Sequence, residues 1–160
     1  MYKISVPVKS QTFDRCGKDI ILQDLKKIGA ERVFVTLATY EPDPVKRKEI
    51  MNTFRENAAF FKKEGFEVGA WLWTFALPKN ALFGEMKSID GMVIRDVCCP
   101  ADPDFVRFSA DYVSEIAENG AEIVLFDDDF RYGNLAGEMG CLCKNHLAYM
   151  ENILGEKLSV

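Results

Sequence analysis

The sequence predicts an α/β fold built from parallel βα repeats, and three observations carry that prediction. Short apolar runs alternate with amphipathic stretches four times along 160 residues, the pattern of strands joined by helical crossovers. A short signature recurs: Gly29-Ala30-Glu31, Gly65-Phe66-Glu67 and Gly120-Ala121-Glu122 each precede an apolar run. Glycine in the left-handed position after a helix ends it, and the apolar run then reads as a buried strand. Asp43-Pro44 and Asp102-Pro103 each join an N-cap residue to a proline at the first helical position.

The elements follow in order. A first strand spans 3–8, and a helix over 16–28 carries Ile21, Leu22, Leu25 and Ile28 on one side. A strand over 32–38 leads to a helix over 44–64 with Ile50, Phe54, Ala58 and Phe61 at helical spacing. The third strand, 67–75, places Trp71, Trp73 and Phe75 on one face. An insertion over 78–100 holds a possible hairpin at Ser88–Ile94, turning at Asp90-Gly91. The helix over 103–119 has an apolar stripe of Phe105, Phe108, Tyr112, Val113, Ile116 and Ala117, and a strand over 122–127 follows. A last helix, 140–154, carries Leu147, Met150 and Leu154. With no low-complexity linker, residues 1–160 read as a single domain of four βα units.

Composition narrows the function classes. Hydrophobic residues make up 48% and charged residues 28%, as in ordinary globular chains. A net charge of −5 supplies no basic footprint, so nucleic acid is not an expected partner. No apolar run is long enough to span a bilayer, and the start breaks at Pro7 without a signal-peptide pattern. The five cysteines then fit a reducing cytoplasm better than a disulfide framework.

The fourth strand runs from Ile123-Val124-Leu125-Phe126 straight into Asp127-Asp128-Asp129 and then Phe130-Arg131. Unpaired carboxylates are too costly to bury in a sheet, so they emerge at the strand's C-terminal end. That end is where α/β folds gather ligands and catalytic groups. Asp127 and Asp129 share a face, about 7 Å apart along the strand. Like charges that close favour keeping one carboxyl protonated, which a general acid toward a glycosidic oxygen requires. The bland reading is a polar loop start with one Asp capping the next helix, and a divalent-cation cluster is a third.

Four βα units close either as an open doubly wound sheet or as the first half of a (β/α)8 barrel, which needs about 250 residues in full. Strand periodicity does not separate them. The chain stops after its fourth helix, where a barrel would be halved.

The run Phe126-Asp127-Asp128-Asp129-Phe130-Arg131, followed by Gly140-Cys141-Leu142-Cys143 and His146-Leu147, resembles uncharacterised bacterial glycoside hydrolase-like TIM barrels. Cys99-Pro100 ahead of Asp102-Pro103 is similar to the segment those proteins carry before the helix leading to strand 4. The resemblance implies the N-terminal half of a (β/α)8 TIM barrel that hydrolyses glycosidic bonds, with a catalytic carboxylate ending strand 4 and a second on a later strand. In the large retaining clan the strand-4 group is a Glu after Asn; this chain has neither there.

On this reading Asp127 and Asp129 are the acid/base and its modulator, while Asp128 and Arg131 bind or orient substrate. Trp73 and Tyr40 line the sugar subsite, because sugar CH faces stack on aromatic rings. The expected partner is a carbohydrate, with neither nucleic acid nor membrane, and exposed sheet edges allow a homo-oligomer. The fragment alone is expected to be inactive. Cys141-x-Cys143-x-x-His146 with Cys98 or Cys99 has the ligands for a tetrahedral zinc. Buried free cysteine is common and inert, however, so no metal and no cofactor are assigned. The alternatives are a metal-dependent sugar isomerase or lyase barrel and a non-enzymatic α/β ligand-binding module.

Overall fold

The computed structural model of the chain describes residues 2–73, 83–127 and 140–158. The elements in chain order are β1 (Ser5–Lys9), α1 (Ser10–Cys16), α2 (Lys18–Lys27), β2 (Arg32–Ala38), α3 (Pro44–Lys63), β3 (Glu67–Leu72), β4 (Glu85–Lys87), β5 (Val93–Cys98), α4 (Pro103–Glu118), β6 (Ile123–Phe126) and α5 (Lys144–Leu154). One sheet has the order β1-β2-β3-β6, with every neighbouring pair parallel. A separate antiparallel pair joins β4 to β5.

Strand order therefore follows chain order, with no reversal among the described strands. Right-handed crossovers repeated in one direction set their helices on one face of the sheet. The core agrees. Val33, Val35, Val68, Ala70 and Leu72 are buried against Ile21 and Leu25 of α2, Met51, Phe54, Ala58 and Phe61 of α3, and Phe105, Tyr112 and Ile116 of α4. Val124 and Phe126 of β6 pack on the same cluster. Phe34, Thr36, Trp71, Trp73 and Leu125 alternate with these residues along their strands, so they belong to the opposite face. On that face Phe34 lies over Gly69, its register partner: a Cβ added to Gly69 would fall 2.4 Å from the Phe34 ring.

Two proline-led helices start as the sequence demands. The Asp43 side chain accepts the Val45 and Lys46 amides, and Asp102 accepts those of Asp104 and Phe105. Elsewhere the boundaries move. The helix expected over 16–28 is α2, Lys18–Lys27, and a further helix not expected from the sequence, α1, precedes it and ends at Gly17, whose φ is 80°. Phe13 holds α1 down by packing on Phe61, with ring centroids 5.6 Å apart. The β4–β5 turn is wider than expected: Ser88 N–H donates to Met92 O and Gly91 N–H to Ser88 O, so Ser88 and Ile89 belong to the turn. The last helix begins at Lys144 rather than 140, because Gly140 has φ 80° and Cys143 is an extended N-cap. The third strand ends at Leu72, and residues 74–82 lie outside the described residues. Among the described residues, no helix is long and apolar enough to cross a membrane.

Candidate functional site

The parallel strands end together on one rim. Asp127 follows β6 directly, and its N–H donates to Leu72 O at 2.9 Å. Because Leu72 is in register with Phe126, Trp73 and Asp127 sit side by side at that rim. Trp73 is 40% exposed. One residue pair further in, Thr36 and Trp71 are also in register. Thr36 Oγ1 and Trp71 Nε1 are both buried without a hydrogen-bond partner among the described residues, an uncommon and costly state.

The other expected site residues fare differently. Asp128, Asp129 and Arg131 lie outside the described residues, as does Phe75. Tyr40 lies in the core rather than on an open rim, with 1% of its surface exposed. Its hydroxyl is 2.6 Å from Ser109 Oγ, and its ring packs edge-on against Phe105 and Tyr112. Burial pushes its phenol up from the ordinary value, beyond what the Ser109 hydrogen bond brings back. A ring held on these partners presents no open face to a sugar.

The structure builds its most distinctive chemistry beside this rim. Cys99, Cys141, Cys143 and His146 bring their ligand atoms within 4.8 Å of one another. Cys99 Sγ lies 3.2 Å from Cys143 Sγ and 3.1 Å from His146 Nδ1, and Cys143 Sγ lies 3.7 Å from the same nitrogen. Local structure explains the convergence. Cys98 ends β5 and faces the main core, so Cys99, next in an extended chain, turns to the opposite side. The Cys99 N–H donates to Gly84 O, fixing that end of the β4–β5 ribbon. Leu142, between the two other cysteines, donates its N–H to Lys87 O and so ties their loop to β4. Cys143 caps α5, and His146 sits in the first turn, three residues on, where a helix returns a side chain to the same side.

The three cysteines sit in a satellite core of their own, with His146 half-buried beside them. Met86, Ile94, Cys99, Cys141 and Cys143 are buried together, with Val97 and Ala101 against them. Burial pushes the Cys99 and Cys141 thiols up, and the neighbouring thiols add to this. Burial acts on Cys143 too, but the His146 and Asn145 backbone amides and the two nearby thiols outweigh it and hold that thiol below its ordinary value. Burial lowers His146, which favours the neutral imidazole, the ligating form. Cys98 is no part of the group: burial first, then the Asp102 and Glu85 charges, push its thiol up to about 12.

Asp102 joins the cluster to the rest of the chain. One carboxylate oxygen accepts the Asp104 and Phe105 amides, and the other accepts Gly84 N–H at 2.8 Å and Asn145 Nδ2 at 3.5 Å. Burial would raise this carboxyl, yet the amides of Phe105, Gly84 and Asp104, with the Lys144 charge, hold it below the usual range. The sequence pattern marked Asp102 as a helix cap; its reach to Gly84 and Asn145 has no sequence signal. The cysteines and histidine were visible as a spacing, and their convergence depends on the β4–β5 ribbon. Set against known protein families, curated proteins and solved structures, the chain matches none.

Proposed function

We propose that the chain is a zinc-binding α/β domain in which Cys99, Cys141, Cys143 and His146 form a closed structural centre beside the C-terminal rim of the sheet. The observation that carries this reading is the gathering of three sulfurs and one imidazole nitrogen within 4.8 Å. Zinc bonds of about 2.3 Å to sulfur and 2.0–2.1 Å to nitrogen set tetrahedral ligands about 3.5–3.8 Å apart. Among Cys99, Cys143 and His146 the distances of 3.1, 3.2 and 3.7 Å reach that arrangement with shifts of roughly half an ångström, and Cys141 lies within 4.8 Å of them. Four protein ligands leave no open position, which distinguishes a structural site from a catalytic one. The satellite core around the ribbon is small, and small cores depend on such staples. The test is metal content. Chain purified with zinc and dialysed should retain one equivalent, and cobalt in its place should give the visible bands of a tetrahedral thiolate site. Loss of all metal on dialysis, or an octahedral cobalt spectrum, would sink the reading.

The neighbouring rim supports a second reading: carbohydrate chemistry in the first half of a (β/α)8 barrel of glycoside hydrolase type. The favouring observation is the exposed Trp73 ring beside Asp127, with the unpartnered Thr36 Oγ1 and Trp71 Nε1 one register pair inward. A ring platform, a carboxylate and unpaired polar groups are what a sugar needs. The strand order, which follows chain order, supports the barrel half, since a doubly wound sheet reverses at a switch point. Asp127 and Asp129 act here as the acid/base pair, with Asp128 and Arg131 orienting substrate. Oligosaccharides titrated against tryptophan fluorescence should give a saturable change that Trp73→Ala abolishes. A change that persists in Trp73→Ala would remove Trp73 from the site, and no change with any oligosaccharide would remove the reading.

A further inference from the structure

We propose that Cys99 and Cys143 are a peroxide-oxidisable pair that closes to a disulfide and expels the metal. The proposal rests on the zinc reading above and names how that site is regulated. Its basis is the unequal spacing within the cluster. Cys99 Sγ and Cys143 Sγ stand 3.2 Å apart, closer than the about 3.8 Å of two thiolates on one zinc ion. A disulfide closes at about 2.05 Å, so roughly 1 Å of approach from the 3.2 Å spacing, or about 1.7 Å from the zinc-bound one, completes the bond. The two residues are 44 apart in sequence, so their bond closes a long loop, unlike a strained bridge between Cys141 and Cys143.

Cys143 is the first nucleophile. It is the N-cap residue of α5, and its sulfur stands 3.2 Å from Cys99 Sγ and 3.7 Å from His146 Nδ1, within reach of its resolving partner. His146 is half-buried, whereas the three cysteines of the cluster are buried.

The step balances. The Cys143 thiolate attacks one oxygen of hydrogen peroxide, the O–O bond breaks, and the hydroxide released takes a proton to become water. Cys143 is then a sulfenic acid. The Cys99 thiolate attacks that sulfur, the S–O bond breaks, and a second hydroxide leaves and is protonated. Two electrons pass from the two sulfurs to the peroxide, yielding one disulfide and two waters. Only Cys141 and His146 remain to hold the ion, and it dissociates. A dithiol reductant reverses the disulfide, and added zinc restores the centre.

Cys98 faces the main core, and Cys16 is exposed on α1. Replacing Cys16 with Ser therefore removes the open thiol that would blur the readout. The experiment uses the full chain with Cys16→Ser, loaded with zinc and titrated with hydrogen peroxide. Zinc release is followed with a chromogenic chelator, and cross-links by tandem mass spectrometry without reduction. One zinc per chain should leave as two thiols disappear, with Cys99 linked to Cys143. The cross-link should survive Cys141→Ser and vanish in Cys143→Ser. Dithiothreitol with zinc should restore the starting state. Zinc retained under peroxide, sulfinic acids without a cross-link, or a different pairing would each overturn the proposal. Zinc content is read before peroxide is added, so an empty starting protein tells against the zinc centre instead. On such a metal-free chain, the presence or absence of the Cys99–Cys143 cross-link still decides the pairing.

Discussion

Asp102 Oδ2 accepts the Gly84 backbone N–H at 2.8 Å, while its other oxygen caps α4. One carboxylate thus starts a main-core helix and fixes the entry to the β4–β5 ribbon. Gly84 allows the approach: a Cβ there would meet that oxygen at 2.5 Å. Asn145, lying between Cys143 and His146 in sequence, reaches the same oxygen. The cysteine–histidine cluster and the main core therefore share one support.

Asp102→Ala should destabilise the domain by about 1–2 kcal/mol, the usual worth of an N-cap, with further loss through Gly84. The folded carboxyl is held below its ordinary value, so its contribution is complete above the unfolded value of about 3.9. That contribution falls away as pH drops through the lower folded value. Asp102→Asn should flatten this acid limb. Urea unfolding between pH 3 and pH 6 checks it, and an unchanged limb in the variant would assign the acid sensitivity to other groups.

Metal should stabilise the fold by mass action. Free zinc at about a hundred times its dissociation constant adds about 2.7 kcal/mol. For a domain of this size that raises Tm by roughly 5–10 °C. Chelation should lower Tm by the same amount, and Cys99→Ser should remove the difference. Cys98→Ser should keep it, because Cys98 packs in the main core. A scanning calorimeter run with and without chelator separates the two variants.

Tyr40→Phe should cost about 1 kcal/mol by deleting the 2.6 Å hydrogen bond to Ser109. It should leave any oligosaccharide affinity unchanged, because the Tyr40 ring is buried against Phe105, Phe108 and Tyr112. A loss of affinity with unchanged stability would return Tyr40 to the subsite.

Legibility followed the range of the physics. The two Asp-Pro starts and the glycine stops act within one helical turn, so the sequence located α3, α4 and the strands after them closely. Helix α1 leaves no periodic signal in the sequence, because Phe13 is its one buried residue. The burial of Tyr40 has a related cause. Its place after β2 marks a rim position, but Phe105, Phe108 and Tyr112 cover it from α4, an element more than sixty residues away. The cysteine–histidine cluster is half legible. Its C-x-C-x-x-H spacing is local, but the choice of Cys99 over Cys98 rests on which side of β5 each faces.

Gly69→Ala should destabilise by about 1–3 kcal/mol, the usual cost of overpacking. The new Cβ would fall 2.4 Å from Phe34 Cε1 and 3.0 Å from Ile123 O. The two contacts differ in kind, since a ring can rotate away while a strand carbonyl cannot. Phe34→Ala alone should also destabilise, as Phe34 is 6% exposed. The double variant should be less unstable than the sum of the two, because removing the ring relieves the clash. A double-mutant cycle reads that coupling directly. Strict additivity would mean that the Ile123 carbonyl, not Phe34, sets the limit on the β3–β6 spacing.

A final expectation concerns the sheet edges. β1 and β6 each pair on one side only within the four-stranded sheet. Leu125 of β6 is 41% exposed on the face opposite the helices. Unpaired edges recruit other strands. Two copies related by a twofold axis along the strands would set β6 of each beside β1 of the other, keeping all eight strands parallel. Such pairing should appear as a dimer in sedimentation velocity at tens of micromolar. Leu125→Lys should weaken it by placing a charge on the joined face, while Leu154→Lys, exposed on α5, should not. A monomer across that range, or equal weakening by both variants, would rule out closure through the β1 and β6 edges.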